Sequence, residues 1–570
     1  MLTVIQAPFS LSFLAWISLV PFILACSPDA KPKSLALAAY LVSACYWLGN
    51  IYWIAPITLL GWTSFSLYTA LFWPILALCL RYCRTKKIPL FLAVPILFVG
   101  AERLRGVFLG GFFWRFLAHS QYQNITIIQI ADIFGAAGIS FLIAMVNGLL
   151  AELIIAARRK QLIRFNLFAK TAVVCLALIA TIFYGRWRIN QSQKFITEGP
   201  VVASLQSNVP QGIKRAAQRG EPDIAEKTSQ EIFDELMLKS EASAKEGAEL
   251  IIWPETMVQG VLNDDVLVFY DPSSQAVLFD KALSEHAKNN AYLLIGAYSG
   301  KVGFQQNGEP FMAARYNSAI LYKPDGRKYP KCYSKMHLVL FGEVLPFRKS
   351  CPLLFNLIMK FNPYGFDHSL DAGTEYTVFE MKTPFKDTET DRKQHTYKFS
   401  VIICYEASIP AIARKFALDR QGHKQIDWLI NISNDGWFVR FVDDKVSPST
   451  ELSQHMAICV FRAVENRLSI VRSVNTGISC IIDTIGQIKN GYLAGTLPDK
   501  AIERQGIDGW FMDKLTIDKR ITFFSKYGQW LDFYCALCFV LFIIVIPVAE
   551  FVRNKKHGFF RRQQKYEKQA

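Results

Sequence analysis

Apolar positions along this chain follow two different patterns. Through residues 1–186, and again near 533–549, they form long stretches with few charges. Between about 198 and 510 they form short β-branched runs separated by stretches with a polar face. A helix that crosses a bilayer needs about 20 apolar residues. The scarcity of charge puts candidate spans at 8–26, 35–56, 62–80, 88–104, 127–151, 168–186 and 532–550. The fourth runs into Glu102 and Arg103, and the first is read as a retained helix because no basic residue precedes it. In the middle region, Val201–Leu205, Leu250–Trp253, Tyr292–Ala297, Ser318–Tyr322, Phe399–Cys404, Trp428–Ile432 and Ile478–Ile482 read as strands. Helical stretches are expected near 221–246, 274–289 and 449–468. Strands that alternate with helices define a layered α/β domain. The segment 381–396 reads as a solvated excursion.

The expected fold class is therefore an α-helical transmembrane bundle plus an α/β domain. Its boundaries fall at 1–190 for about six spans, 191–515 for the catalytic domain, and 516–570 for a last helix and a basic tail. Composition agrees: 570 residues exceed one ordinary core, 52% are hydrophobic and only 19% charged.

The net charge of +16 adds orientation rather than a nucleic-acid partner. Basic residues gather beside apolar segments: Lys31 and Lys33, then Arg81, Arg84, Lys86 and Lys87, then Arg158, Arg159, Lys160 and Arg164, then the tail Arg553–Lys568. These are alternate loops, so all are expected on the cytoplasmic side. The α/β domain then lies on the opposite face, the periplasm in a bacterium. No basic stripe with interleaved aromatics occurs in the middle region, so no nucleic acid is expected. The semi-polar loop Glu102–Asn124, with Gly111-Phe112-Phe113-Trp114, is expected on the same side as that domain, as an aromatic belt or a lipid-contacting loop.

Five of the twelve cysteines lie in the middle region, and none has metal-ligand spacing there. One of them ends a strand. Three segments share that design: Glu249-Leu-Ile-Ile-Trp-Pro-Glu255, the run from Tyr333 through Lys335 to Glu343, and Val401-Ile-Ile-Cys404-Tyr405-Glu406. Residues at strand ends face the crevice where α/β proteins bind substrates. A thiol at its ordinary pKa is a poor nucleophile, and a neighbouring base or cation activates it. Glu255 can take the Cys404 proton, and Lys335, with the backbone N–H after Cys404, can hold an oxyanion. Each residue alone reads as an ordinary core thiol, turn carboxylate or surface amine. The three together on strand ends do not.

These segments resemble the Glu-Lys-Cys triad of the nitrilase superfamily. With the flanking spans, the chain resembles its membrane-bound branch, the apolipoprotein N-acyltransferases. Matching segments include Ala131-Asp132-Ile-Phe-Gly135, Gln206-Ser-Asn208, Trp253-Pro254-Glu255, Tyr316-Asn317-Ser318, Ser433-Asn434-Asp435-Gly436-Trp437, Gln454-His455, Arg462-Ala463-Val-Glu465-Asn-Arg467 and Asn475-Thr476-Gly477. The resemblance implies an αββα sandwich of the nitrilase type, with Cys404 as nucleophile, Glu255 as base and Lys335 as oxyanion stabiliser. It implies Glu343 beside Lys335, Tyr405 and Glu406 shaping the pocket, and Trp437 lining it. It also implies an acyl donor, phosphatidylethanolamine, and diacylglyceryl-cysteine lipoproteins as acceptors, at a bacterial inner membrane. Relative to the family pattern, the chain begins at what matches its second helix. Arg215 follows Lys214 where an aromatic is usual, and Leu340 stands where Pro usually follows His337-Leu-Val. No cofactor or metal is expected: His337 and His455 are read as packing residues, His455 without a ligand-spaced partner on its helix. The alternatives are a membrane-tethered amidase with the same triad and water as acceptor, and a lipid- or lipoprotein-binding module with a degenerate site.

Overall fold

A computed structural model describes residues 1–160, 165–209, 222–288, 290–345, 347–348, 350–360, 369–386, 392–442 and 445–545. Lys214, Arg215, Arg164, the tail from Arg553 to Lys568 and the end of the seventh expected span lie outside them.

Helices occupy the expected apolar stretches. Leu59–Thr85, Ala136–Arg158 and Phe165–Ser192 are long and apolar enough to cross a membrane. Pro32–Asn50 and Leu90–Val107 fill the second and fourth positions, and shorter apolar helices run over Ser12–Ala25 and Trp530–Val545. The expected span 127–151 is corrected. The helix begins at Ala136 and extends to Arg158, and two one-turn helices, Ile125–Ile128 and Ala131–Phe134, precede it. Gly135, at φ +65°, makes the break, a conformation that costs glycine little.

The middle region holds two sheets. Strands β1 (Ile196–Gln206), β2 (Leu250–Ile252), β3 (Tyr292–Phe304), β4 (Pro310–Tyr322) and β5 (Tyr333–Ser334) belong to the first. Then come β6 (Phe379–Lys386), β7 (Arg392–Ile403), β8 (Trp428–Ser433), the small hairpin β9 (Arg440–Val442) and β10 (Lys445–Ser447), β11 (Ser469–Val474), β12 (Cys480–Ile482), β13 (Ala494–Gly495) and β14 (Gly509–Asp518). A seven-stranded sheet has the order β13-β14-β1-β2-β3-β4-β5, and a five-stranded sheet the order β12-β11-β8-β7-β6.

Successive strand residues face opposite ways, and burial follows that period. Ala203, Leu205, Ile251, Trp253, Leu293 and Ile295 pack outward with Phe233 and Phe279, from the helices Pro222–Lys245 and Gln275–Ala287. Val202, Leu250, Ile252 and Leu294 share a core with Val401, Ile403, Ile430 and Val471 of the second sheet. Thr450–Asn466 covers that sheet's other side, giving the layers helix, sheet, sheet, helix. Hydroxyls pin the two sheets together: Ser204 donates to the Arg472 carbonyl, and Ser473 to those of Leu205 and Ile252.

The excursion at 381–396 is also corrected. Apart from 387–391, which lie outside the described residues, it belongs to the antiparallel pair β6–β7, in register from Phe379↔Phe399 to Lys386↔Arg392. Its charged composition hides a strand whose inner positions, Phe379 and Met381, are fully buried.

Candidate active site

Strand ends from both sheets converge on one buried cluster. β7 runs through the core to Ile403, and Cys404 then turns at φ +52° into a one-turn helix, Cys404–Ser408. That left-handed conformation costs a residue with a Cβ about 1–2 kcal/mol. Glu255 lies just past β2, and Gly296 of β3 lets its loop approach. A Cβ on Gly296 would sit 2.2 Å from the Pro254 carbonyl oxygen and 2.7 Å from the Glu255 Cα. Lys335 follows directly on β5.

The three expected residues come together. The Lys335 Nζ lies 3.4 Å from Glu255 Oε1 and 2.7 Å from Glu343 Oε2, with the lysine side chain 1% exposed. The Asn317 amide bridges the two carboxylates, donating to Glu255 Oε1 at 2.6 Å and Glu343 Oε1 at 2.9 Å. The Asn434 N–H donates to Glu255 Oε2 at 2.8 Å, and the Val339 N–H to Glu343 Oε2 at 2.9 Å. Burial alone would lower the Lys335 ammonium. The charges of Glu343 and Glu255 outweigh it and hold lysine well above its ordinary value. Burial, then the Glu255 charge, push the Cys404 thiol well up, against the pull of Lys335. The resting site therefore pairs a protonated thiol with a protonated amine, with the Glu255 carboxyl group beside them.

The remaining expected residues have distinct places. Glu406 is fully buried and works as a strut. Its Oε1 accepts from the Met336 and His337 N–H groups, and its Oε2 from the Tyr333 hydroxyl and the Ile403 N–H. It thereby ties the Lys335 segment to the Cys404 turn. The Tyr405 hydroxyl donates to the Gly111 carbonyl at 3.1 Å and accepts from the Phe113 N–H at 3.2 Å. Trp437 is half-buried in the one-turn helix Asp435–Phe438. A nitrogen of His337 lies 3.2 Å from the Gly110 carbonyl oxygen.

Two features escaped the sequence reading. Phe112, Phe113 and Trp114, read as an aromatic belt or lipid contact, are buried. Trp114 stacks on Tyr405 and donates to Gln454, because the loop folds over the catalytic domain. His455, read without a ligand-spaced partner, has Glu451 one turn earlier. Asp435, Glu451 and His455 bring one ligand-capable atom each within 4.8 Å of one another. The i, i+4 spacing was the available signal.

An αββα domain with a Cys-Glu-Lys cluster, docked on apolar helices, defines the class: a carbon–nitrogen hydrolase domain of the nitrilase type on a helical membrane base. Residues 202–497 match the carbon-nitrogen hydrolase family, and residues 1–149 match the apolipoprotein N-acyltransferase N-terminal domain. The apolipoprotein N-acyltransferase of Geobacter metallireducens is 31% identical over 499 residues, covering 84% of this chain and 82% of that one. That of Brucella melitensis is 29% identical over 494 residues, covering 82% and 79%. The chain belongs to the apolipoprotein N-acyltransferase family. Among solved structures, a Nesterenkonia amidase of the nitrilase superfamily aligns over 56% of this chain and 91% of that one, at 14% identity and a TM-score of 0.33.

Proposed function

We propose that this enzyme takes an acyl chain from a phospholipid, phosphatidylethanolamine, and passes it through a Cys404 thioester to the N-terminal amine of diacylglyceryl-cysteine lipoproteins. The observation that carries the reading is the Lys335 ammonium held between Glu255 and Glu343, 3.4 and 2.7 Å away, beside the strained Cys404 turn. In the first step Glu255 takes the thiol proton while sulfur attacks the ester carbonyl. The carbonyl oxygen becomes an oxyanion against Lys335 and the Tyr405 N–H. The C–O bond then breaks, and Glu255 returns the proton to the departing lysophospholipid alkoxide. In the second step the lipoprotein amine attacks the thioester carbonyl and gives up a proton through Glu255. The C–S bond breaks, and the thiolate recovers its proton. Glu343, Asn317 and Glu406 hold these groups in place.

Residues 1–190 and 516–570 serve as the anchor and 191–515 as the catalytic domain, on the periplasmic face of the inner membrane. The basic clusters at Arg81–Lys87 and Arg158–Lys160 support that orientation. Phe168, Leu176 and Phe183 point outward from the helix Phe165–Ser192, which supports lipid around it. A membrane base gives both anchored substrates access to one thioester, so the amine competes with water.

The test uses phospholipid radiolabelled in its acyl chain. Without acceptor, the label is expected to stop at one equivalent on the protein, and an added diacylglyceryl-peptide then removes it. Continuous release of free fatty acid would favour the tethered-amidase reading instead.

A further inference from the structure

We infer that His455 is a positioning residue: with Asn431 it fixes the carbonyl of Cys404, and through that peptide it aims the Tyr405 N–H at the oxyanion. The inference rests on Cys404 being the nucleophile. His455 Nε2 lies 3.2 Å from the Cys404 carbonyl oxygen, and Asn431 Nδ2 lies 3.4 Å from the same atom. A carbonyl oxygen only accepts, so Nε2 carries a proton. Nδ1 lies at ion-pair distance from two carboxylates, 3.3 Å from Glu451 Oε1 and 3.4 Å from Asp435 Oδ1, without hydrogen-bond alignment to either. The charge of the carboxylates at that nitrogen favours a proton there as well, which makes the ring an imidazolium.

Burial and the Arg472 charge would lower it, but Asp435 and Glu451 raise it to about 10. The cluster is braced in turn. Ser433 donates to Asp435 Oδ1 at 2.6 Å, and Arg472 lies 3.3 Å from Asp435 Oδ2. Arg472 also donates to Asn431 Oδ1 at 2.6 Å, which fixes the second donor. The Trp114 ring closes the outer side, 5.5 Å from the imidazole.

In a planar trans peptide the C=O and N–H point in opposite directions. A carbonyl gripped by His455 and Asn431 therefore sends the Tyr405 N–H the other way, and a cation on the oxygen makes that N–H a stronger donor. The grip also counters the cost of φ +52° at Cys404, a conformation that persists only when its surroundings impose it. Burying two carboxylates and an imidazolium is expensive. A residue that merely filled this space would be apolar.

The experiment compares two reactions of Cys404 in the full-length enzyme. Acylation by phospholipid needs the oxyanion donor, whereas alkylation by iodoacetamide builds no oxyanion. His455→Leu is expected to slow acylation at saturating phospholipid on the order of a hundredfold, with KM and the alkylation rate unchanged. His455→Gln, which keeps an N–H donor, is expected to recover most of the loss. Should the Leu variant not purify folded, His455→Asn, too short to reach the carbonyl, takes its place. Unchanged acylation, or acylation and alkylation falling together, would overturn the inference. A wild-type enzyme that forms no acyl-Cys404 would instead remove the reading on which it rests.

Discussion

At Cys404 two requirements conflict. In the proposed mechanism the thiol must be dry enough for a thioester to outlive water, yet burial disfavours the thiolate that attacks. The proposed roles of Lys335 and Glu255 resolve this with a fixed ammonium and a base rather than a free thiolate. Cys404→Ala and Glu255→Gln are therefore expected to abolish acyl transfer. Lys335→Ala is expected to lower it by roughly a hundredfold or more, as for a lost oxyanion donor, measured as product per minute at saturating phospholipid. The buried His455 cluster carries a pH signature. Folding raises His455 from 6.5 to about 10 and Glu451 from 4.5 to about 7, so the folded state binds more protons. Its stabilisation is fully present below the unfolded values and is lost as pH rises through the folded ones. The melting temperature is expected to fall between pH 7 and 10, and to fall less in His455→Gln. A steeper fall in that variant would contradict the assignment.

Among the elements, those that end at Glu255 and Cys404 were the most legible. β2 and the final stretch of β7, Phe399–Ile403, are short, mostly apolar and buried on both faces, so their sequences carry the signal without alternation, and Glu255 and Cys404 sit just past the ends of those runs. Elements with buried polar groups were missed. β11 contains Ser469, Arg472 and Ser473, all fully buried. It was not among the expected strands, and the partners that satisfy its polar groups, Asn431 and the β1 and β2 carbonyls, are remote in sequence. The partnership of Glu451 and His455 was legible on one helix, but Asp435 reaches it only through the fold. Gly296 shows the same limit, since only the structure reveals the Glu255 loop lying against it. Gly296→Ala would displace that loop. It is expected to cost roughly a hundredfold in kcat, the scale of a misplaced catalytic group, with the fold retained by circular dichroism.

For the molecule as a whole, the coupling between helical base and catalytic domain lies in buried charges. The Asp132 carboxylate accepts from Arg188 and Arg467, both at 2.7 Å, and from the Tyr184 hydroxyl at 2.6 Å. Arg467 caps the helix that carries His455, so one carboxylate joins the base to the active-site layer. Asp132→Ala would leave two buried guanidiniums unpaired. It is expected to destabilise the protein by about 3–5 kcal/mol, read as a lowered midpoint of thermal inactivation in detergent. Tyr405, which holds Gly111 and Phe113, is the second tie. The proposed mechanism as a whole rests on the sulfur of Cys404 carrying the acyl chain. Intact mass spectrometry of the purified enzyme incubated with phospholipid, without acceptor, tests this directly. One acyl adduct that maps to Cys404, and is absent from Cys404→Ala, is the predicted result. Product formation with no adduct, or an adduct that persists in Cys404→Ala, would contradict it.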